Sequence, residues 1–126
     1  MYAVAADPVS AVVRIHLSGF FDSQEVVRFW HEEQEVARAA FARHGAYDLL
    51  IETVGGGPQG QDVLDAFQRV VLESPVKARR IGIVSGSALL RMQIRRMLVS
   101  DKLQVFETTA EAEAWLASMA GAPAGE

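Results

Sequence analysis

The sequence predicts an α/β domain built on a mostly parallel sheet. Apolar segments with the two-residue period of strands alternate with segments whose apolar residues recur at helical spacing. One of the strand segments, residues 47–54, contains the continuous apolar run Leu49, Leu50 and Ile51, which is typical of a strand buried on both faces. The length of 126 residues, half of them hydrophobic, indicates one domain with a core of its own.

The first elements are two strands. In AVVRIHLSG, Val13, Ile15 and Leu17 face one way and the intervening residues the other, and Gly19 closes the strand. Residues 2–5 before it predict a short edge strand, followed by a turn at Asp7-Pro8.

A long amphipathic helix follows over residues 22–44. Asp22 and Glu25 have the spacing of a capping box, and Gly45 suits the position just past the helix end. The predicted apolar stripe consists of Val26, Phe29, Trp30, Ala37, Ala40 and Phe41. The glutamates of this helix at positions 25, 32, 33 and 35 are expected on its solvated face.

The second half of the chain repeats the strand–helix order. Ser74-Pro75 ends the first helix of this half, Ser87 caps the next one, and Thr108 with Glu111 forms another capping box. The expected elements are a helix over 61–73, a strand over 79–84, a helix over 88–98, a strand over 103–107 and a helix over 108–119. The sequence therefore predicts one domain over 1–119 and a disordered tail over 120–126.

Composition and charge indicate which cellular location and which classes of partner to expect. The formal net charge of −4 argues against nucleic acid as the main partner. No apolar run approaches the roughly 20 residues of a membrane helix, and the first ten residues do not have the form of a signal peptide. The chain has no cysteine, and a cytoplasmic location is the simplest expectation.

The stretch IETVGGGPQGQD contains the pattern G-x-G-x-x-G at residues 55–60, between a strand and a helix. We call residues 55–60 the glycine loop. A dinucleotide site would need an acid about 20 residues later, where Arg80 stands, and Pro58 removes an N–H that could hold phosphate. Gln61-Asp62 stands where the phosphate-binding loop (P-loop) of nucleoside triphosphatases has Lys followed by Ser or Thr. We expect a turn here, with an anion site or a partner-contact loop as the alternatives.

The carboxyl ends of parallel strands lie at one edge of a sheet, where open α/β sheets bind ligands. The two loops that begin at Gly19 and at Gly55 and the turn at Ser85 should meet at this edge. We name it the strand-end rim, and its expected ligand- or partner-binding residues are Phe20, Phe21, Thr53, Gly55, Gly56 and Ser85, with Arg91 beside them. The plainer alternatives are a helix cap for Ser87, core packing for the two phenylalanines, and a solvated helix face for Arg91 and Arg95.

Catalytic, cofactor and metal sites are not predicted. His16, His31 and His44 are scattered, and HEEQE lacks the second histidine of a zinc-protease motif. Glu52, at a strand end, is the one carboxylate expected near the rim. A small enzyme would need Glu52 or His16 buried beside a rim pocket.

The element order and three stretches, LSGFFDSQEV, ARRIGIVSGSALLRMQIRRML and VFETTAEAEAWL, resemble the STAS-like (SpoIIAA-like) superfamily. This is the fold of bacterial anti-sigma-factor antagonists, related in outline to CRAL-TRIO lipid-carrier domains. The resemblance covers about residues 12–116 and implies a mixed sheet with an antiparallel N-terminal strand. The signalling antagonists carry a phosphorylated serine at the helix start where this chain has residues 57–62, which include no serine or threonine.

The resemblance implies a non-catalytic binding or regulatory module acting at the strand-end rim. One alternative is a carrier of a small apolar or anionic ligand. Another is a homodimeric structural protein, because sequential β–α connections all pass over one sheet face and leave the other without cover.

Overall fold

The computed structural model describes residues 1–7, 9–55, 57–97 and 100–119, and within them strands and helices alternate. The elements are β1 (Tyr2–Ala6), β2 (Val12–Ser18), α1 (Ser23–His44), β3 (Asp48–Val54), α2 (Gln61–Glu73), β4 (Ile81–Val84), α3 (Ala88–Met97), β5 (Leu103–Phe106) and α4 (Thr109–Met119). The strands form one sheet in the order β1-β2-β3-β4-β5. β1 runs antiparallel to β2, and the remaining pairs are parallel.

The predicted fold class is therefore confirmed, including the antiparallel first strand. Gly56 and the predicted tail 120–126 lie outside the described residues. Within those residues, no helix is both long and apolar enough to cross a membrane.

The alternation in β2 sets which side chains enter the core. Val13 pairs in register with Leu49, and Ile15 with Ile51, so all four side chains project to the same face of the sheet. α1, α2 and α3 pack on this face, which we call the helix-covered face. Its buried strand residues are Val13, Ile15, Leu49, Ile51, Ile81, Ile83, Leu103 and Val105.

α1 begins and ends as its sequence predicts. Asp22 accepts a hydrogen bond of 2.8 Å from the Glu25 backbone, and the Glu25 carboxylate accepts one from the Asp22 N–H, which completes the capping box. Gly45 takes the left-handed conformation with φ of 80°, which favours glycine.

The inner stripe of α1 differs from the prediction at three positions. Glu33 and Gln34 are buried, whereas Phe41 is 49% exposed. The buried positions 26, 29, 30, 33, 34, 37 and 40 follow the three- and four-residue steps of one helix face. Placing Glu33 on the solvated face was therefore wrong, because helical geometry fixes the direction of a residue whatever its charge.

The second face of the sheet has partial cover, so the expectation of a bare face is also wrong. α4 follows the edge strand β5 and returns across the side opposite to the other helices. Ala112 and Leu116 of α4 are buried with Leu50 and Val84, and we call this side the α4 face. Gly82 of β4 lies under α4, where a Cβ would stand 3.6 Å from the Ala112 Cβ, in ordinary van der Waals contact.

Candidate functional site at the strand-end rim

A small apolar cavity lies at the strand-end rim, between the helix-covered face and three helices. Its volume is about 70 Å³. Three residues predicted for the rim, Phe21, Thr53 and Gly55, line this cavity. The remaining lining residues are Leu17, Gly19, Val26, Phe29, Ile51, Gln59, Val63, Leu64, Phe67, Ile83, Leu90 and Ile94.

Gln59 ties together three segments around the mouth of this cavity. Its side-chain oxygen accepts a hydrogen bond of 3.3 Å from the Phe21 N–H. Its backbone N–H donates to the Gln93 side chain at 2.9 Å, and its carbonyl accepts from the same side chain at 3.1 Å. The glycine loop is thereby fixed both to the β2–α1 turn and to α3. Sequence reasoning missed this role, for which the sequence has no signal beyond two polar residues 34 positions apart.

The two neighbouring phenylalanines have different environments. The Phe21 ring packs edge-on against Phe29 with ring centroids 6.0 Å apart, as core packing predicts. Phe20 is 69% exposed. Val54, whose carbonyl accepts from the Gly19 N–H, is 65% exposed, and Leu89 at the start of α3 is 60% exposed. The carboxyl edge of the sheet thus has exposed apolar side chains in addition to the small apolar cavity.

Gly55, the first residue of the glycine loop, has a backbone conformation typical of turns. Gly55 has φ of +68°, a left-handed conformation that a side chain would strain. The carboxylate of Asp62 lies at the start of α2, with one oxygen 2.7 Å from where a Cβ on Gly60 would stand. This negative charge occupies the helix start that a phosphate would need, and the turn interpretation is the one that the geometry favours.

The β4–α3 turn is closed by its own polar groups. Ser85 is 2% exposed, and its hydroxyl accepts from the Ser87 N–H at 3.1 Å. Ser87 caps α3 by accepting from the Leu90 N–H at 3.1 Å, as predicted. Arg91 folds back onto the turn and donates to the Ser85 carbonyl at 2.6 Å, while Arg95 donates to the Val105 carbonyl at 3.4 Å. Both arginines thus contact backbone carbonyls of the fold.

Glu52 pairs with Val84 at the end of β4, close to the strand ends, but it does not line the cavity. It projects to the α4 face, where its carboxylate accepts from Thr109 at 2.8 Å and from Arg14 at 3.4 Å. His16 Nε2 lies 3.4 Å from the same carboxylate, and the His16 side chain is 57% exposed. The pair is thus separated by the sheet from the apolar cavity, and the arrangement of a buried acid or base beside a rim pocket is absent from the described residues.

A buried polar cluster that sequence reasoning missed joins α1 to the core. The Tyr47 hydroxyl donates to Glu33 at 2.9 Å, and Gln34 Nε2 donates to the same carboxylate at 2.6 Å. Gln34 also exchanges two hydrogen bonds with the backbone of Val76. Burial raises the pKa of Glu33, and the hydrogen bonds from Gln34 and Tyr47 offset part of that effect. The helical spacing of positions 33 and 34 with the apolar stripe was the available signal.

The polar side chains that line the cavity are engaged within the fold. Thr53 and Gln59 are the polar side chains among the described cavity-lining residues, and both are engaged within the fold, Thr53 by donating to the Val84 carbonyl at 2.7 Å. Within the described residues, histidine and carboxylate side chains nowhere gather in groups of three or more that could hold a metal ion.

No protein-family model matches the chain, and a search of the curated proteins finds no significant match.

Proposed function

We propose that this chain is a non-catalytic binding module of STAS-like type, which recognises a partner protein through the strand-end rim. The observation that carries the proposal is the exposure of Phe20, which has 69% of its surface in contact with solvent and stands in the chain between two residues that line the apolar cavity, Gly19 and Phe21. Exposed aromatic side chains beside a pocket are typical anchors of protein interfaces.

The neighbours of Phe20 support a recognition surface. The hydrogen bond from Gly19 to the Val54 carbonyl holds the exposed Val54 next to the β2–α1 turn. Gln59 fixes the adjacent loop, so the surface is largely preorganised, and preorganisation lowers the entropic cost of binding.

The polar groups of the rim support binding over catalysis. Thr53, Ser85 and Arg91 are each engaged with backbone groups of the fold. The one histidine–carboxylate pair of the sheet, His16 with Glu52, lies on the α4 face. An acid, a base and a nucleophile facing one pocket would be the signature of an enzyme.

The resemblance to STAS-like proteins implies that the start of α2 is the position at which the signalling antagonists are phosphorylated. The N-cap of α2 is Gly60, and no side chain caps this helix. The chain thus has no hydroxyl at the place where the signalling antagonists are phosphorylated, and we propose that its recognition does not depend on phosphorylation there.

The geometry of the rim does not favour a ligand carrier there, and the cover of the sheet does not favour a structural homodimer. The rim cavity of about 70 Å³ is smaller than the roughly 150 Å³ that holds one benzene molecule, which argues against a lipid-like cargo at the rim. The case for a structural homodimer depended on a bare sheet face, and α4 packs on that face over β3, β4 and β5.

Amide spectra of the ¹⁵N-labelled protein in its native cell extract test the proposal. We expect selective line broadening at Phe20, Phe21 and Thr53, together with their neighbours Gly55, Ser85 and Arg91. Phe20→Ser should remove this broadening.

The matched control is Phe41→Ser, which removes an exposed aromatic side chain from the far end of α1. Its spectrum should broaden as the wild type does. Broadening spread evenly over the protein, or unchanged by Phe20→Ser, would overturn the proposal.

A further inference from the structure

A second and larger cavity lies at the opposite end of the sheet from the rim. Its volume is about 320 Å³, within the range of small-molecule sites. It lies between the last turns of α2 and α3 and the first residues of β4 and β5. The lining residues are Trp30, Gln68, Val71, Leu72, Ser74, Lys77, Ala78, Ile81, Met97, Ser100, Lys102 and Leu103.

The charged side chains that line this cavity, among the described residues, are all positive. The chain has two lysines in its whole sequence, and both of them, Lys77 and Lys102, line this cavity. No acidic side chain stands among its described lining residues, and no ion pair of the described residues involves either lysine. In a protein with a net charge of −4, this is a local positive site for which the described part of the chain supplies no paired anion.

Lys77 is held in position at the edge of the cavity. Its ammonium donates to the carbonyls of Leu72 at 2.6 Å and Val71 at 3.4 Å, at the end of α2. A lysine ammonium has three N–H donors, so one remains after these two bonds. Lys102 is exposed on the other side, at the start of β5.

The walls of the cavity are mainly apolar. Val71, Ala78, Ile81, Met97 and Leu103 supply aliphatic surface. The combination of an apolar body with two cations at the mouth matches a molecule that has an apolar chain and a single negative end group.

Trp30 also lines the cavity and gives it a natural reporter. The residue is 6% exposed, and its ring packs edge-on against Phe67 with centroids 5.9 Å apart. The indole N–H is enclosed and has no hydrogen-bond acceptor among the described residues. The chemical shift of this N–H should therefore change when a molecule enters the cavity.

We propose that this cavity binds a small monocarboxylate with an unbranched apolar chain. Its carboxylate lies between Lys77 and Lys102 and its chain lies along the aliphatic walls. At about 30 Å³ for each water-sized atom, the volume accommodates about ten non-hydrogen atoms, the size of octanoate. The proposal is independent of partner binding at the rim, because it concerns the other end of the sheet.

Titration of the ¹⁵N-labelled full chain with octanoate tests the site. The chain has two tryptophans, and Trp115 lies on the α4 face against Phe106. We expect a saturable shift of the Trp30 indole resonance and of the amides of Ala78 and Leu103, with the Trp115 indole unchanged. 1-Octanol, which has the same chain without the charge, should bind about tenfold more weakly, as the loss of one charge-assisted hydrogen bond predicts.

Matched variants separate the site from general charge effects. Lys102→Met should weaken octanoate binding about tenfold, whereas Arg28→Met, which removes an exposed cation from α1, should leave it unchanged. Ala78→Leu should block binding by filling the cavity. The proposal is overturned if the Trp30 resonance does not saturate, if Trp115 shifts equally, if the rim amides of Phe21 and Gly55 shift instead, or if Arg28→Met weakens binding as much as Lys102→Met.

Discussion

The hydroxyl of Tyr47 donates a hydrogen bond of 2.9 Å to the carboxylate of Glu33, and neither side chain has contact with solvent. Gln34 donates to the other carboxylate oxygen at 2.6 Å. The arrangement accommodates both protonation states of Glu33. When the carboxyl is protonated it can donate to the Tyr47 oxygen, and the Tyr47 hydroxyl can then donate to the Val76 carbonyl 3.4 Å away.

This pair predicts a pH-dependent stability. Burial raises the pKa of Glu33 above its ordinary value of 4.5. The folded state therefore binds this proton more tightly than the unfolded state, and the contribution is complete below pH 4.5 and is lost as the pH rises through the folded pKa. We expect the free energy of unfolding to fall, relative to Glu33→Gln, by at most about 1.4 kcal/mol per pH unit in that window.

Urea denaturation of both proteins from pH 4 to pH 8 measures this difference. Glu35→Gln is the control, because Glu35 lies on the same helix with 63% of its side chain exposed, and its curve should follow the wild type. Parallel curves for wild type and Glu33→Gln would show that Glu33 does not hold its proton more tightly in the folded protein.

Two glycines should respond in opposite directions to alanine. A Cβ on Gly82 would lie 3.6 Å from Ala112 in ordinary van der Waals contact, so Gly82→Ala should stabilise the protein by about 0.5 to 1 kcal/mol. Gly55 has φ of +68°, and Gly55→Ala should destabilise it by about 1 to 2 kcal/mol. Urea midpoints give both values. Destabilisation by Gly82→Ala would mean that α4 packs on β4 more tightly than the structure indicates.

The hydrogen bonds of Gln59 predict which amides at the rim are protected from hydrogen exchange. Gln59→Ala removes the acceptor of the Phe21 N–H, so hydrogen exchange at that amide should accelerate. Gln93→Ala removes the partner of the Gln59 backbone, so exchange should accelerate at the Gln59 amide instead. NMR-detected exchange resolves the two sites. Equal acceleration at both amides in each variant would mean that the loop opens as one unit.

The sequence was sufficient for the element order, because each element carries its own local signal. The capping boxes of Asp22 and Thr108 and the strand alternation around Ile15 depend on residues a few positions apart. The antiparallel first strand came from the resemblance, and the structure confirms it.

One error arose where charge was taken as evidence of exposure. Glu33 has the helical phase of the core, and only the position of Tyr47 just before β3 explains how it is tolerated there. The cover that α4 gives the second face could not be predicted, because the side to which a terminal helix returns depends on tertiary packing. Gln59 and Gln93 meet only once α2 and α3 lie side by side on the sheet.

Site-specific photocrosslinking tests the central claim, partner recognition at the strand-end rim, most directly. The variants are Phe20→p-benzoylphenylalanine and, as a matched exposed position, Phe41→p-benzoylphenylalanine. After irradiation in native extract, mass spectrometry should find one discrete protein adduct at position 20 and none at position 41. The same adducts at both positions, or none at position 20, would contradict the account.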